Sequence, residues 1–260
     1  SKHRTSVAAA ELGLAAKLNK RIPDVHVGAG MIALSRWQFE ACMKSVGEAL
    51  KINPNHHDAL LMKGICLMQW RKFEQVAAPL EKVLKPNPKH LDALSLLAAL
   101  KVRQGTPKDA LPYMKRVKDV NPGYAELPNT VGQWLAAGRQ FREAEKYYRE
   151  AEKLAPELAG PKINLGRMYM QTGEEAKAKE YFAKAHALDD YRSDVVNFLR
   201  LCGRMEDYQV KETDHFIVKV DARFDAVLLD QVSAEAERIY EEITTSYQYE
   251  PTEKTMVEFF

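Results

Sequence analysis

The sequence predicts a mainly α fold, a solenoid of paired helices followed by a partial α/β segment, and three observations carry the prediction. First, Pro54, Pro88, Pro122 and Pro156 fall 34 residues apart, with Asp190 in the same register. A fixed period of that length marks a tandem helical repeat. Second, the same interval links Gly30, Gly64, Ala98, Gly132 and Gly166, one small residue per unit, where two helix backbones can approach closely. Third, the period disappears beyond Gly203, where β-branched and aromatic residues begin to cluster.

The segment AAAELGLAAKLNK has helix-forming composition, and Ala8, Leu12 and Ala15 lie one period before the second-helix columns. Residues 1–22 are therefore expected to form a partial N-terminal repeat helix. Five units follow at 23–56, 57–90, 91–124, 125–158 and 159–192. Their second helices carry Cys42, Val76, Ala110, Ala144 and Ala178, then Val46, Leu80, Met114, Tyr148 and Phe182, then Ala49, Val83, Val117, Ala151 and Ala185. Spacings of four and three put these columns on one helical face. Phe39, Phe73 and Phe141 mark the turn inside a pair, with Pro107 and Glu175 as exceptions, and Asn53, Asn87 and Asn121 each precede a proline in the turn between pairs. The third unit departs most, through Ala98, Lys101 and Pro107, so looser stacking is expected there. In residues 193–205, Arg200 and Gly203 replace the Gly166 and Tyr169 of the preceding unit, which predicts a capping helix.

In residues 206–260, HFIVKV at 215–220 reads as a strand. Leu228, Val232, Ala236, Ile239, Tyr240, Ile243 and Tyr247 have helical spacing, and MVEFF at 256–260 reads as a second strand. One strand–helix–strand piece cannot cover both faces of a sheet. It is expected to be poorly supported, docked on the capping helix, and to make the chain a fragment of a longer protein.

The columns of small residues, aromatics and terminal prolines resemble the tetratricopeptide repeat family over roughly three quarters of the chain. That resemblance implies a right-handed superhelix with a concave face lined by the first helices, which binds proteins or peptides. Residues from ETDHFIVKV to MVEFF are similar to the opening of a peptidase MA-like domain, a gluzincin-type metallopeptidase family often preceded by such repeats. This second resemblance implies a zinc hydrolase downstream, with a HExxH helix and a later glutamate. No HExxH occurs in the 260 residues, so no catalytic residue is carried over.

Composition excludes little and suggests no extreme partner. The formal net charge is +2 and no broad charged tail is present, which argues against nucleic acid or an anionic membrane as an obligate partner. No apolar run reaches the ~20 residues of a membrane helix. Cys42, Cys66 and Cys202 are widely spaced and read as small packing residues, leaving the compartment open.

His56, His57 and Asp58, with His90 one period on, are the most tempting metal cluster. A polar turn and a helix start explain them without a metal. His215 beside a strand is read as structural. The carboxylates of REAEKYYREAEK and GEEAKAKEY each have a Lys or Arg at helical spacing, as on a solvated face. No phosphate loop, GxSxG or paired CxxC is present. The expectation is no enzyme activity in this fragment, no cofactor and no metal. The expected binding site is a first-helix groove, apolar around Val27, Met31, Leu61, Ile65 and Met68 and more polar near Asn129, Gln133 and Arg167. Its occupant is a separate polypeptide or the downstream domain in cis; the alternative is that the repeats select or orient substrates for a zinc metallopeptidase. Single-stranded nucleic acid is disfavoured by the Met and Leu columns.

Overall fold

The computed structural model describes residues 2–19, 21–221, 223 and 227–259. The chain divides into two compact units, Ser1–Leu165 and Gly166–Phe260. The first contains helices α1 (Lys2–Leu18), α2 (Pro23–Ser35), α3 (Phe39–Ile52), α4 (His57–Gln69), α5 (Ala77–Leu84), α6 (Leu91–Arg103), α7 (Pro107–Val120), α8 (Glu126–Ala137) and α9 (Phe141–Leu154). Helix α10 (Ala159–Gln171) is shared between the two units; the second adds α11 (Glu175–Leu188), α12 (Ser193–Met205) and α13 (Leu228–Tyr247).

Helix starts and stops follow local chemistry repeated at the 34-residue interval. Pro23 and Pro107 open α2 and α7, where a missing N–H costs nothing, and Asp24, Asp58, Asp92 and Glu126 sit in first turns, complementing the helix dipole. Each first helix ends on a residue of positive φ: Trp37 (60°), Arg71 (61°), Gly105 (81°), Arg139 (60°) and Gly173 (74°). The next residue's N–H then bonds back five positions, as in Gln38 to Ala33, Lys72 to Leu67, Thr106 to Lys101, Gln140 to Leu135 and Glu174 to Tyr169. That is a Schellman stop. In the turns between pairs, the side-chain oxygens of Asn53, Asn87 and Asn121 accept the N–H groups of Asn55, Lys89 and Gly123 at 3.0–3.2 Å. Asp189 does the same for Tyr191, which explains why asparagine precedes proline and why an aspartate can replace the motif.

The second-helix columns are the core of the first unit. Cys42, Val46, Ala49, Val76, Leu80, Val83, Ala110, Val117, Ala144, Tyr148 and Ala151 are all buried. Small residues in the first helices make room for them: a Cβ on Gly64 would lie 2.8 Å from Leu80, and one on Gly132 would lie 2.8 Å from the Tyr148 ring. Helix α5 is short because Pro79 stands in its first turn without an N–H, and Phe73–Gln75 form a 3-10 turn instead. The looser third pair expected from Ala98, Lys101 and Pro107 is not what the structure shows. Every residue from Ala93 to Leu100 is buried, because leucines fill all sides of α6 and Ala98 and Ala99 let its neighbours close in.

The second unit begins with the same device. A Cβ on Gly166 would lie 2.7 Å from Phe182, whose ring stacks on Phe198 of α12 at 4.7 Å. Three strands follow: β1 (Tyr208–Glu212), β2 (Phe216–Asp221) and β3 (Thr255–Phe259), in the order β1-β2-β3. β1 pairs antiparallel with β2, Tyr208 opposite Asp221, and β2 pairs parallel with β3, Phe216 opposite Thr255. Phe260, expected as the end of the last strand, lies outside the described residues. β1 was not anticipated, because Tyr-Gln-Val-Lys-Glu is an edge strand with mostly exposed residues and no apolar run. The sheet has two covers within this unit. Phe216 meets Tyr240 of α13 edge-on at 5.9 Å, so even positions of β2 face α13. Lys219 ion-pairs with Glu175 of α11, so odd positions face the repeat-type helices. Val218 and Val220 are fully buried, so this piece is better supported than its sequence suggested.

Candidate functional site

Seven of the eight groove residues lie in the first unit, on α2, α4 and α8. Met31 is 56% exposed and Gln133 is exposed. Leu61 and Ile65 are half-buried, Ile65 against the cluster of Val27, Leu34, Val46 and Cys66. Val27 and Met68 are buried, at 7% and 1% exposure. Of the five apolar positions, Met31 is therefore exposed, Leu61 and Ile65 are half-buried, and Val27 and Met68 belong to the interior.

Asn129 is not at the surface but 4% exposed. Its amide donates to Glu126 Oε2 at 3.0 Å and its carbonyl oxygen accepts from Asn164 Nδ2 at 2.8 Å, which ties α8 to α10. A buried amide that is satisfied on both ends is a structural link. Arg167 belongs to the second unit, where its guanidinium meets Asp194 at 2.8 Å and lies over Phe198 at 5.7 Å. Arg192 grips the same carboxylate, and its hydrogen bonds, opposed by burial and helped by Arg167, hold Asp194 down at about 2.

His56, His57, His90 and His215 each meet a neighbouring group. His56 Nδ1 accepts the Ala59 N–H at 3.3 Å, capping α4, while Nε2 lies 3.3 Å from Asp24. His57 and His90 meet edge-to-face at 5.9 Å. Nδ1 of His215 contacts Glu237 Oε2 at 2.7 Å, its backbone N–H donates to the other oxygen, and its ring stacks on Tyr240 at 3.7 Å. The hydrogen bonds from His215 and Thr213 hold Glu237 at about 2, fastening the start of β2 to α13. Among the described residues, no three His, Cys, Asp or Glu side chains converge as metal ligands. Cys42, Cys66 and Cys202 are free and buried; burial first, then the neighbouring Cys66 thiol, pushes Cys42 up to about 12, far from a reactive thiolate. No described helix is long and apolar enough to cross a membrane.

Two features were not read from the sequence. One is the column Trp37, Arg71, Gly105 and Arg139 at the turn inside each pair, whose signal was the glycines at 105 and 173, two periods apart. The other is a charged cluster inside the second unit. Lys219 lies between Glu175 and Glu258, 3.7 Å from Glu258 Oε1, with all three side chains at most about a fifth exposed. Burial opposes charge on Glu175, but the hydrogen bond from Lys219 and its own backbone N–H outweigh it and hold this carboxyl low. Burial, then Glu175 itself, pushes Glu258 up, and its Oε1 has no hydrogen-bond partner.

Comparison with known proteins agrees with this architecture. Residues 161–190 match the family model for the tetratricopeptide repeat. A thermophilic tetratricopeptide repeat protein from Thermus thermophilus is 19% identical over 70% of this chain and 98% of that one, with a TM-score of 0.52. A tetratricopeptide repeat protein from Parabacteroides merdae is 15% identical over 78% of this chain and 79% of that one, with a TM-score of 0.55. Among curated proteins, none matches the chain by sequence. The fold is therefore mainly α, with the paired helices of tetratricopeptide repeat structures and a small sheet near its C-terminal end.

Proposed function

We propose that the first unit is a protein-interaction module whose first-helix face holds an apolar stretch of a polypeptide. The observation that carries this reading is Met31, 56% exposed in the register that Ile65 occupies half-buried one unit later. A flexible thioether beside aliphatic neighbours adapts to varied apolar side chains. Affinity would come from burying these side chains, at about 25 cal/mol per Å² before the costs of association. Gln133, exposed on α8, would supply a polar contact.

The test is a photo-crosslinking residue placed at position 31 of the natural full-length polypeptide in its own cells, with Lys115 on α7 as an exposed control. The expected result is a polypeptide adduct at 31 and not at 115, undiminished when a Met31→Asp protein is co-expressed as competitor but reduced by the native one. Equal capture at both positions, or none at 31, removes the reading.

A second reading rests on the parallel β2–α13–β3 crossover, which fits the strand–helix–strand layout of a peptidase MA-like opening. In it the helix pairs orient substrates for a zinc hydrolase, or the downstream domain fills the groove in cis. Zinc content and chelator-sensitive peptidase activity of the natural full-length polypeptide decide it, and absence of both eliminates it.

A further inference from the structure

The turn inside each helix pair puts one residue in the left-handed backbone region, where glycine fits best. In the first unit Gly105 fills that position once, but Trp37, Arg71 and Arg139 fill it elsewhere, at φ of 60–61°. These three large side chains are exposed, Trp37 by 70%. Neither guanidinium makes a side-chain hydrogen bond or ion pair among the described residues, whereas nearby cations are engaged: Lys72 Nζ lies 3.3 Å above the Trp70 ring and Arg103 lies over Phe73. Trp37 is the outer end of a ring series, edge-on to Phe39 at 6.0 Å, which stacks on Trp70 at 5.8 Å. Strained backbone kept under two exposed guanidinium groups with no partner among the described residues, and under a ring that packs by one edge only, points to a role outside the molecule.

We propose that this turn edge is a second docking surface, separate from the first-helix groove, for an extended acidic segment of another protein, with an apolar residue against Trp37 and carboxylates on Arg71 and Arg139. The spacing sets the register. Neighbouring packed helices lie about 10 Å apart and an extended chain advances about 3.3 Å per residue, so roughly three partner residues span one repeat. Arg71 is one repeat from Trp37 and Arg139 three, which calls for carboxylates about three and nine residues beyond the apolar one. A single-stranded nucleic acid fits less well. Among the turn residues 37, 71, 105 and 139 only Trp37 offers a ring for stacking, and Glu40, Glu74, Asp109 and Glu143 follow in the first turns of the second helices, where they oppose a charge at every unit of the ligand more than two carboxylates placed on the arginines.

The probe is a labelled twelve-residue peptide, otherwise serine and alanine, with leucine at its first position and glutamates at its fourth and tenth, together with its reversed-order counterpart. Fluorescence anisotropy with the whole chain at low salt is expected to show binding of one order, weakening as salt rises. The R71E/R139E protein should bind at least about tenfold more weakly. The R71G/R139G protein should lose binding to a similar degree while keeping its circular dichroism and melting midpoint, since glycine suits that backbone; this separates lost contacts from lost fold. Binding of neither peptide, undiminished binding by both variants, or tighter binding of oligothymidylate than of either peptide overturns the proposal.

Discussion

The two compact units close a helix pair with the same contact but bury what lies beyond it with different chemistry. In the first, a small residue on one helix faces a large one sixteen positions later on the next, as in Gly64 with Leu80 and Gly132 with Tyr148, and apolar columns do the rest. The second opens identically with Gly166 and Phe182, then covers a sheet face with Glu175, Lys219 and Glu258. Apolar burial needs no partner of defined charge and survives substitution by similar volumes. A half-buried lysine between two carboxylates has one arrangement that works, so its loss is felt through charge as well as volume.

The largest expected effect tests the shared contact. Phe182→Ala removes a fully buried ring that fills the space over Gly166 and stacks on Phe198, and should cost about 3–5 kcal/mol in urea denaturation. If the loss is below about 1 kcal/mol, the small-to-large contact is not what closes this pair.

The next effect separates the two chemistries. Lys219→Met keeps the stem but leaves Glu175 and Glu258 facing each other with no cation between, and should cost about 3 kcal/mol. Adding Glu175→Gln and Glu258→Gln should recover part of that loss. An equal loss in the single and triple variants would mean that Lys219 acts through packing alone.

Acidity sharpens the comparison further. Glu258 is pushed up by burial and by Glu175, so it binds its proton more tightly when folded. Its contribution is present below the ordinary carboxylate range and is lost as pH rises through its folded value. Glu175 has the opposite sign: its contribution is present above that range and is lost as pH falls through its depressed folded value. Melting midpoints measured from pH 4 upward should therefore decline on the alkaline side in the native chain and stay flatter in Glu258→Gln. A decline of the same size in that variant would assign it elsewhere.

How much was legible in the sequence follows from contact distance along the chain. The helix pairs, the buried columns and the Asn-Pro turns involve residues within a few turns of one another, so periodicity exposes them. Lys219 and Glu175 are 44 residues apart in different kinds of element, and each alone reads as an ordinary solvated charge. β1 was hidden because an edge strand has no apolar run to announce it. Of the residues expected to line a groove, Met31 and Gln133 are exposed. Asn129 was legible as polar but not as buried, because its partner Asn164 lies one repeat away. The positive-φ column was visible only where glycine occupied it, and Trp37, Arg71 and Arg139 concealed it.

That column supplies the smallest effect, and the one on which the turn-edge surface depends. A Cβ added at Gly105 would meet nothing within 4 Å, so Gly105→Ala isolates backbone strain from crowding. At φ of 81° it should cost about 1 kcal/mol, the left-handed penalty less the entropy that alanine removes from the unfolded chain. Arg139→Gly runs the other way and should be stabilising or neutral within about 0.5 kcal/mol, because relief of strain is offset by a freer unfolded chain. Paired urea midpoints measure both. If Gly105→Ala is neutral, the position carries no strain, and large residues at 37, 71 and 139 need no external partner to account for them; if it is destabilising while Arg139→Gly is not, those side chains are retained against the backbone's preference, as a contact surface requires.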